Sequence, residues 1–400
     1  MIKNPSTPTA HDADKIAAIR GELPATGPVA YLNIGTNGPL PRRSHAALVE
    51  HAQIELEQGR VGPGVLERIN AVMDETRTAF AALLGCVADE VALTHSTTEG
   101  MNIALMGLDW SPGDEVVTAT SEHEGGLNPI ALLRERYGVT ARYTPIGLRE
   151  SDPAVELARA LSPRTKAVVL SHASWTTGAI LPMRELSDLA HDAGALMICD
   201  AAQSCGMLPA NVYELGVDAY ACSGQKWLCG PDGTGALFVR RDCLERIQQT
   251  YIGYWGTKSR VNHAEAVFEP SEGAQRYQFA SLYLPATKAL GTSMNWIAGE
   301  VGWEWAYRRI RELGRYCHAA LAQLDGVSLY LPDHAIAGLI HFAVAGVAPA
   351  DLTARLGEQG IIIRHTPEPQ LNRVATGFYN TEEEIDRLAH AIAEIRDAAA

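Results

Sequence analysis

Lys226 is one of only six lysines among 33 basic residues, and its surroundings are unusual for the type. It lies in YACSGQKWLCGPDGTGALFVR (220–240), followed by Trp227 and Leu228 in a segment that runs through Gly230, Pro231, Gly233 and Gly235. An ammonium so placed is poorly solvated, and desolvation lowers an amine's pKa and makes it a nucleophile toward carbonyls. A lysine whose tip merely snorkels from a loop is the plain alternative. Three further clusters hold polar residues just after apolar runs. In ALMICDAAQSCG (195–206), Asp200 ends a buried run, so its carboxylate needs a partner or serves as a helix cap, and Gln203 follows one turn on. In SEHEGG (121–126), His123 precedes two glycines that leave room for a flat ligand. In THSTTEGMN (94–102), Ser96, Thr97 and Thr98 open a helix with the hydroxyls and free N–H groups that suit a phosphate or carboxylate, although Ser and Thr also begin helices with no ligand.

One ligand class answers all four clusters. A lysine able to form a Schiff base, an anion cradle, a buried carboxylate for a cationic nitrogen and a histidine to cover a ring are together what pyridoxal 5'-phosphate requires.

The elements that must position these residues read as an α/β domain. EVALTHS (90–96), EVVTAT (115–120), KAVVLSH (166–172), ALMICD (195–200) and GALFVR (235–240) are short strand-type runs separated by helix-length segments. Such strands form a mainly parallel sheet covered on both faces, and ligands bind beyond the C-terminal ends of its strands. Apolar positions at 65, 66, 69, 72, 73, 80, 83 and 84, with Thr76 on the same stripe, predict a helix capped by Gly85. A change of texture near residue 290 predicts a smaller C-terminal α/β domain, closed by a helix that Thr381 and Glu384 begin with capping-box spacing. The expected division is an N-terminal segment near the active site (1–40), a large domain (41–285) and a small domain (286–400).

Composition narrows the remaining classes. At 400 residues, 46% apolar and 20% charged, the chain is long enough for two or three packed domains and unlike a disordered one. A net charge of −14 with no basic patch argues against nucleic acid as a partner. No apolar run is long enough for a membrane span or signal peptide, and seven cysteines without CxxC spacing suit buried thiols with no metal site. The expected location is the cytoplasm.

The ordered motifs, from YLNIGTNGPLP to FYNTEEEID, resemble the class V aminotransferase family of fold type I pyridoxal phosphate enzymes, within its isopenicillin N epimerase-like and cystine C–S lyase-like branch. The resemblance implies a large domain built on a mainly parallel seven-stranded sheet between helices. It makes Lys226 the Schiff-base lysine, Asp200 the partner of the pyridine nitrogen and His123 the ring stacked on the cofactor, the three catalytic candidates. Gln203 would bond the phenolic oxygen, and Thr97, Thr98 and Ser223 the phosphate, with Gln225 standing where many relatives carry histidine. Ser281, in QRYQFASLYLP (275–285), would complete the phosphate cradle of a second copy, which implies a homodimer with shared sites. Arg373, in LNRVATGFYNT (371–381), would clamp the carboxylate of a small amino-acid substrate by a bidentate pair, with Gly35 and Thr36 also on the substrate side.

Cysteine desulfurases of the family need a thiol shortly before the arginine segment, and IIIRHTPEPQLNR (361–373) has none. The favoured reaction is therefore β-elimination from an L-cysteine S-conjugate, with Trp175, Tyr254 and Trp255 as an apolar wall for its side chain. Epimerisation, with His365 or Tyr283 as a second base, and transamination are the alternatives; a scaffold without catalysis is disfavoured by the full set of chemical residues.

Overall fold

The computed structural model describes residues 10–259, 262 and 264–398, so residues 1–9 of the expected N-terminal segment lie outside the described residues. Its central sheet has seven strands: β1 (Val91–Thr94), β2 (Glu115–Ala119), β3 (Thr140–Thr144), β4 (Thr165–Ser171), β5 (Leu196–Asp200), β6 (Ala219–Ser223) and β7 (Gly235–Val239). Their spatial order is β1-β7-β6-β5-β4-β2-β3. Only β7 runs antiparallel to its neighbours. Every residue of β1, β2, β5, β6 and β7 is buried, which is why β1, β2, β5 and β7 read as continuous apolar runs instead of alternating ones. β3 and β6 escape the sequence reading for opposite reasons. TARYT is a polar, largely solvent-facing edge, whereas AYACS merges with the Lys226 segment after it.

After α1 (Ala10–Glu22) and α2 (Arg42–Gln58), helices pack on the sheet: α3 (Val65–Leu84), α4 (Thr97–Met106), α5 (Glu124–Tyr137), α6 (Pro153–Ala160) and α7 (Met183–Asp192). α3 buries Val65, Val72, Met73, Phe80 and Leu84 and stops at Gly85, whose φ of 67° is the left-handed conformation that favours glycine. α8 (Leu284–Trp296) packs against α2 and α3, and α9 (Trp303–Ala322) leads into the C-terminal part. There β8 (Val327–Leu329), β9 (Leu339–Val344), β10 (Arg364–Thr366) and β11 (Leu371–Ala375) form an antiparallel sheet in the order β10-β11-β9-β8, joined by α10 (Pro349–Glu358) and α11 (Glu382–Asp397).

The stretch between α1 and α2 is tied to this C-terminal part, Asn33 bridging Ala375 of β11. Ala30–Tyr31 pairs in parallel with Ile361–Ile362, and Arg20 bonds Glu384 at 2.8 Å. That tether carries Gly35 and Thr36 to the edge of the large sheet.

α11 begins with the expected capping box, the Thr381 hydroxyl accepting from the Glu384 N–H and the Glu384 carboxylate accepting from the Thr381 N–H. Its inner stripe is Ile385, Leu388, Ile392 and Ile395. Thr381→Ala is expected to cost about 1 kcal/mol in denaturant unfolding, and an unchanged midpoint would show that the cap contributes nothing. No helix among the described residues is long and apolar enough to cross a membrane, and none of their His, Cys, Asp and Glu side chains gather as a metal ion would require.

Candidate active site

The C-terminal ends of β1, β5 and β6 meet the N-terminal tether and the β10–β11 hairpin around a cleft of about 200 Å³. Lys226 enters it from the turn after β6. Gly38 explains how the tether comes so close: its N–H donates to the Gln225 carbonyl at 2.7 Å, and a Cβ there would lie 2.3 Å from the Lys226 carbonyl oxygen. Burial pushes the Lys226 amine down to about 8; Asp200 opposes the shift, while Arg373 and Arg364 reinforce it. The amine makes no hydrogen bond to the described residues, so it is a partly neutral, uncommitted nucleophile.

Asp200 is the last residue of β5 and 5% exposed, its Oδ1 accepting from the Ala202 N–H at 2.9 Å. His123 caps α5, its Nδ1 accepting from the Gly125 N–H at 3.0 Å, which leaves the proton of the neutral ring on Nε2. Burial and then the Lys226 charge hold its pKa down. The ring meets Trp175 edge-on, with centroids 5.1 Å apart.

Across the cleft, the Thr97 hydroxyl lies 2.6 Å from that of Ser223. Thr97 and Thr98 open α4 behind the Ser96 cap, and the four N–H groups at a helix start lack intrahelical partners. Gly125 faces them: a Cβ there would lie 2.6 Å from the Thr98 hydroxyl. The Gln225 Oε1 is buried and unpartnered. Gln203 is more committed than expected, its Nε2 donating to the Gly35 carbonyl at 2.8 Å and its Oε1 accepting from Trp227 Nε1 at 3.0 Å, which leaves one N–H for a ligand.

Arg373 is fully buried in β11, and it forms no ion pair with a described carboxylate. It donates to the Trp175 carbonyl, Asn33 Oδ1 and Thr36 Oγ1, and its Nε is unpartnered. Burial, then repulsion from Arg364, lowers its pKa to about 9. Arg364 was absent from the residues singled out above. It pairs in register with Arg373, and its guanidinium lies 5.4 Å over the Trp175 ring. The available signal was the proline-bearing turn TPEPQ between the two arginines, which makes a tight hairpin and sets them side by side. Lys226, Arg364 and Arg373 face one carboxylate, Asp200, in a chain of net charge −14, so the cleft is built for anions.

Several candidates lie outside this chain's cleft, among them Ser281, which is expected to serve a second copy's site and not this one. Ser281 and Trp255 line a separate cavity of about 340 Å³ with Arg60 and Arg68, and Tyr254 is exposed, its hydroxyl 2.5 Å from that of Ser281. Of the three aromatic wall candidates only Trp175 lines this chain's cleft, because the segment carrying the other two turns away over α2 and α3. His365 is exposed on the strand face opposite Arg364, and Tyr283 is 58% exposed outside the cleft.

Residues 48–388 match the family model of the class V aminotransferases. The chain belongs to that family. It is 28% identical to a probable cysteine desulfurase of Methanothermobacter thermautotrophicus, over 94% of this chain and 97% of that one. It is 29% identical to the isopenicillin N epimerase of Streptomyces clavuligerus, over 93% and 96%. In structure it is similar to the cystine C–S lyase C-DES in complex with its product cysteine persulfide, with a TM-score of 0.88 and 29% identity over 93% and 99%. A C-DES variant with glycine covalently linked to its pyridoxal phosphate cofactor gives 0.89, at the same identity. The large mainly parallel sheet is therefore the fold type I architecture, and the protein is a pyridoxal phosphate enzyme. The residues present suit that group: an uncommitted amine, a buried carboxylate lining the cleft, and a cradle of helix N–H groups, hydroxyls and an orphaned amide.

Proposed function

We propose that the protein cleaves the carbon–sulfur bond of an L-cysteine S-conjugate by β-elimination, releasing a thiol and, with one water, pyruvate and ammonia. The observation that carries this reading over sulfur transfer is the hairpin beside Arg373: the turn between β10 and β11 has no cysteine, and no cysteine lines the cleft. An enzyme that keeps the sulfur needs a thiolate there. Epimerisation needs a second acid–base group on the opposite face, and the two candidates for it stand outside the cleft. The names of the similar proteins, cysteine desulfurases and a cystine C–S lyase, agree with a reaction at the sulfur of a cysteine derivative.

Pyridoxal phosphate, when bound, supplies an electron sink that acidifies the hydrogen on the amino acid's α-carbon. In this reading Lys226 would hold the cofactor through its aldehyde and, once displaced by the substrate amine, would take the α-proton at Nζ, while Asp200 would partner the ring nitrogen and His123 would cover the ring. Thr97, Thr98, Ser223 and Gln225 hold the phosphate, and the free N–H of Gln203 serves the phenolic oxygen. Arg373 holds the substrate carboxylate beside Gly35 and Thr36, and Trp175 walls the side chain. The division at residues 40 and 285 belongs to the same proposal, as does a reducing, cytoplasmic setting in which the seven free cysteines stay thiols. So does a homodimer in which Ser281 completes a second copy's cradle, since its own cleft does not contain it.

The test is to offer the purified protein a panel of amino acids and cysteine S-conjugates while following pyruvate, free thiol and substrate chirality. Stoichiometric pyruvate and thiol from S-conjugates are expected. Racemised substrate without pyruvate would move the assignment to epimerisation.

A further inference from the structure

Glu122 has no task in that reading, yet it stands beside the residues that do. It is 8% exposed, and both of its oxygens engage Ser171: Oε1 accepts the Ser171 N–H at 2.8 Å, and Oε2 bonds the Ser171 hydroxyl. No described cation pairs with it. Ser171 ends β4 and is in register with Asp200 at the end of β5, whose carbonyl accepts from the His172 N–H at 3.2 Å. Because β2, β4 and β5 are neighbours in the sheet, Glu122 (after β2), Ser171 and Asp200 stand side by side at its C-terminal edge.

We propose that Glu122 is a positioning residue, a buried carboxyl that holds Ser171 and with it the strand end carrying Asp200, and that in its protonated form adds no second negative charge beside Asp200. The inference rests on the pyridoxal phosphate reading of the cleft. A buried carboxylate without a cation is costly, and two adjoining carboxyls do not both ionise cheaply. The groups facing Glu122 are Ser171 on β4 and, on β5, Asp200 and the Cys199 thiol, itself pushed up by burial. Burial lifts Glu122 to about 7, with the Asp200 charge adding and the Ser171 bonds opposing.

The sign of the pH effect follows. A carboxyl whose pKa is higher folded than unfolded stabilises the fold fully below its unfolded value of 4.5, and that contribution is lost as pH rises through about 7. The apoprotein should therefore lose melting temperature between pH 5 and 8 relative to Glu122→Gln, whose amide can still accept from the Ser171 N–H and donate to its hydroxyl. Infrared difference spectra of the apoprotein at pH 6 should contain a protonated-carboxyl band that vanishes in Glu122→Gln. At that pH Glu122→Gln should bind pyridoxal phosphate within about threefold of the unaltered protein, whereas Ser171→Ala and Glu122→Ala should weaken it on the order of tenfold. If Glu122→Gln binds as poorly as Glu122→Ala, or if its melting profile and infrared spectrum match those of the unaltered protein, the proposal is overturned. Failure of the unaltered protein to bind pyridoxal phosphate would instead overturn the cofactor reading, and the apoprotein melts and spectra would still decide the state of Glu122.

Discussion

Lys226→Ala is expected to abolish the lysine-linked visible band and to lower kcat on any amino-acid substrate by at least about 10²–10⁴-fold, the usual contribution of a positioned base. The argument is geometric: among the residues lining the cleft, this is the only amine, and it makes no competing hydrogen bond. The same substitution should act oppositely on the apoprotein's stability. A lysine whose folded pKa is near 8 against 10.5 unfolded destabilises the fold below pH 8, and the penalty is relieved as pH climbs from 8 to 10.5. By one pKa unit per 1.36 kcal/mol, the relief is up to roughly 3 kcal/mol. The unaltered apoprotein should thus gain stability over that window, and Lys226→Ala should be more stable than it at pH 7 and flat beyond. Absorbance and pH-resolved melting read both effects. A visible band that survives in the variant would remove Lys226 from its role.

Arg373→Ala should leave the visible band in place and raise KM for the amino acid by about 30-fold or more, the range expected when one partner of a buried, hydrogen-bonded charge pair is removed. Arg373 has no carboxylate of its own to satisfy among the described residues, and its Nε is free, so the charge waits for a ligand. Arg373→Lys should restore little, because a point charge lacks the planar fork that meets a carboxylate at two oxygens. Without ligand, the variant should melt higher than the unaltered protein, since burial lowers the Arg373 pKa and an uncompensated guanidinium strains the folded state. Substrate titrations followed at the visible band would test this, and an unchanged KM would hand the carboxylate to Arg364.

Much of this was legible in the amino-acid order because it depends on what lies nearby in the chain. The apolar runs of β1, β2, β4, β5 and β7 announce a covered sheet, and Asp200 at the end of one of them announces a carboxylate at the ligand-binding edge. The glycines and apolar residues around Lys226 announce a desolvated amine, and Thr381 with Glu384 announces the start of α11. β3 stayed hidden because an edge strand has no need of apolar residues on both faces.

What the tertiary structure alone decided is which distant residues become neighbours. Register in the β10–β11 hairpin brings Arg364 beside Arg373, and the order of strands in the sheet sets Glu122 next to Ser171 and Asp200, 49 and 78 positions further along the chain. The N-terminal tether and Trp227 each occupy one amide contact of Gln203, and packing over α2 and α3 takes Ser281 and Trp255 to another cavity. No local pattern encodes these outcomes. They are chosen by strand pairing and shared burial across loops whose closure entropy varies slowly with length, so segments at many separations compete for each place.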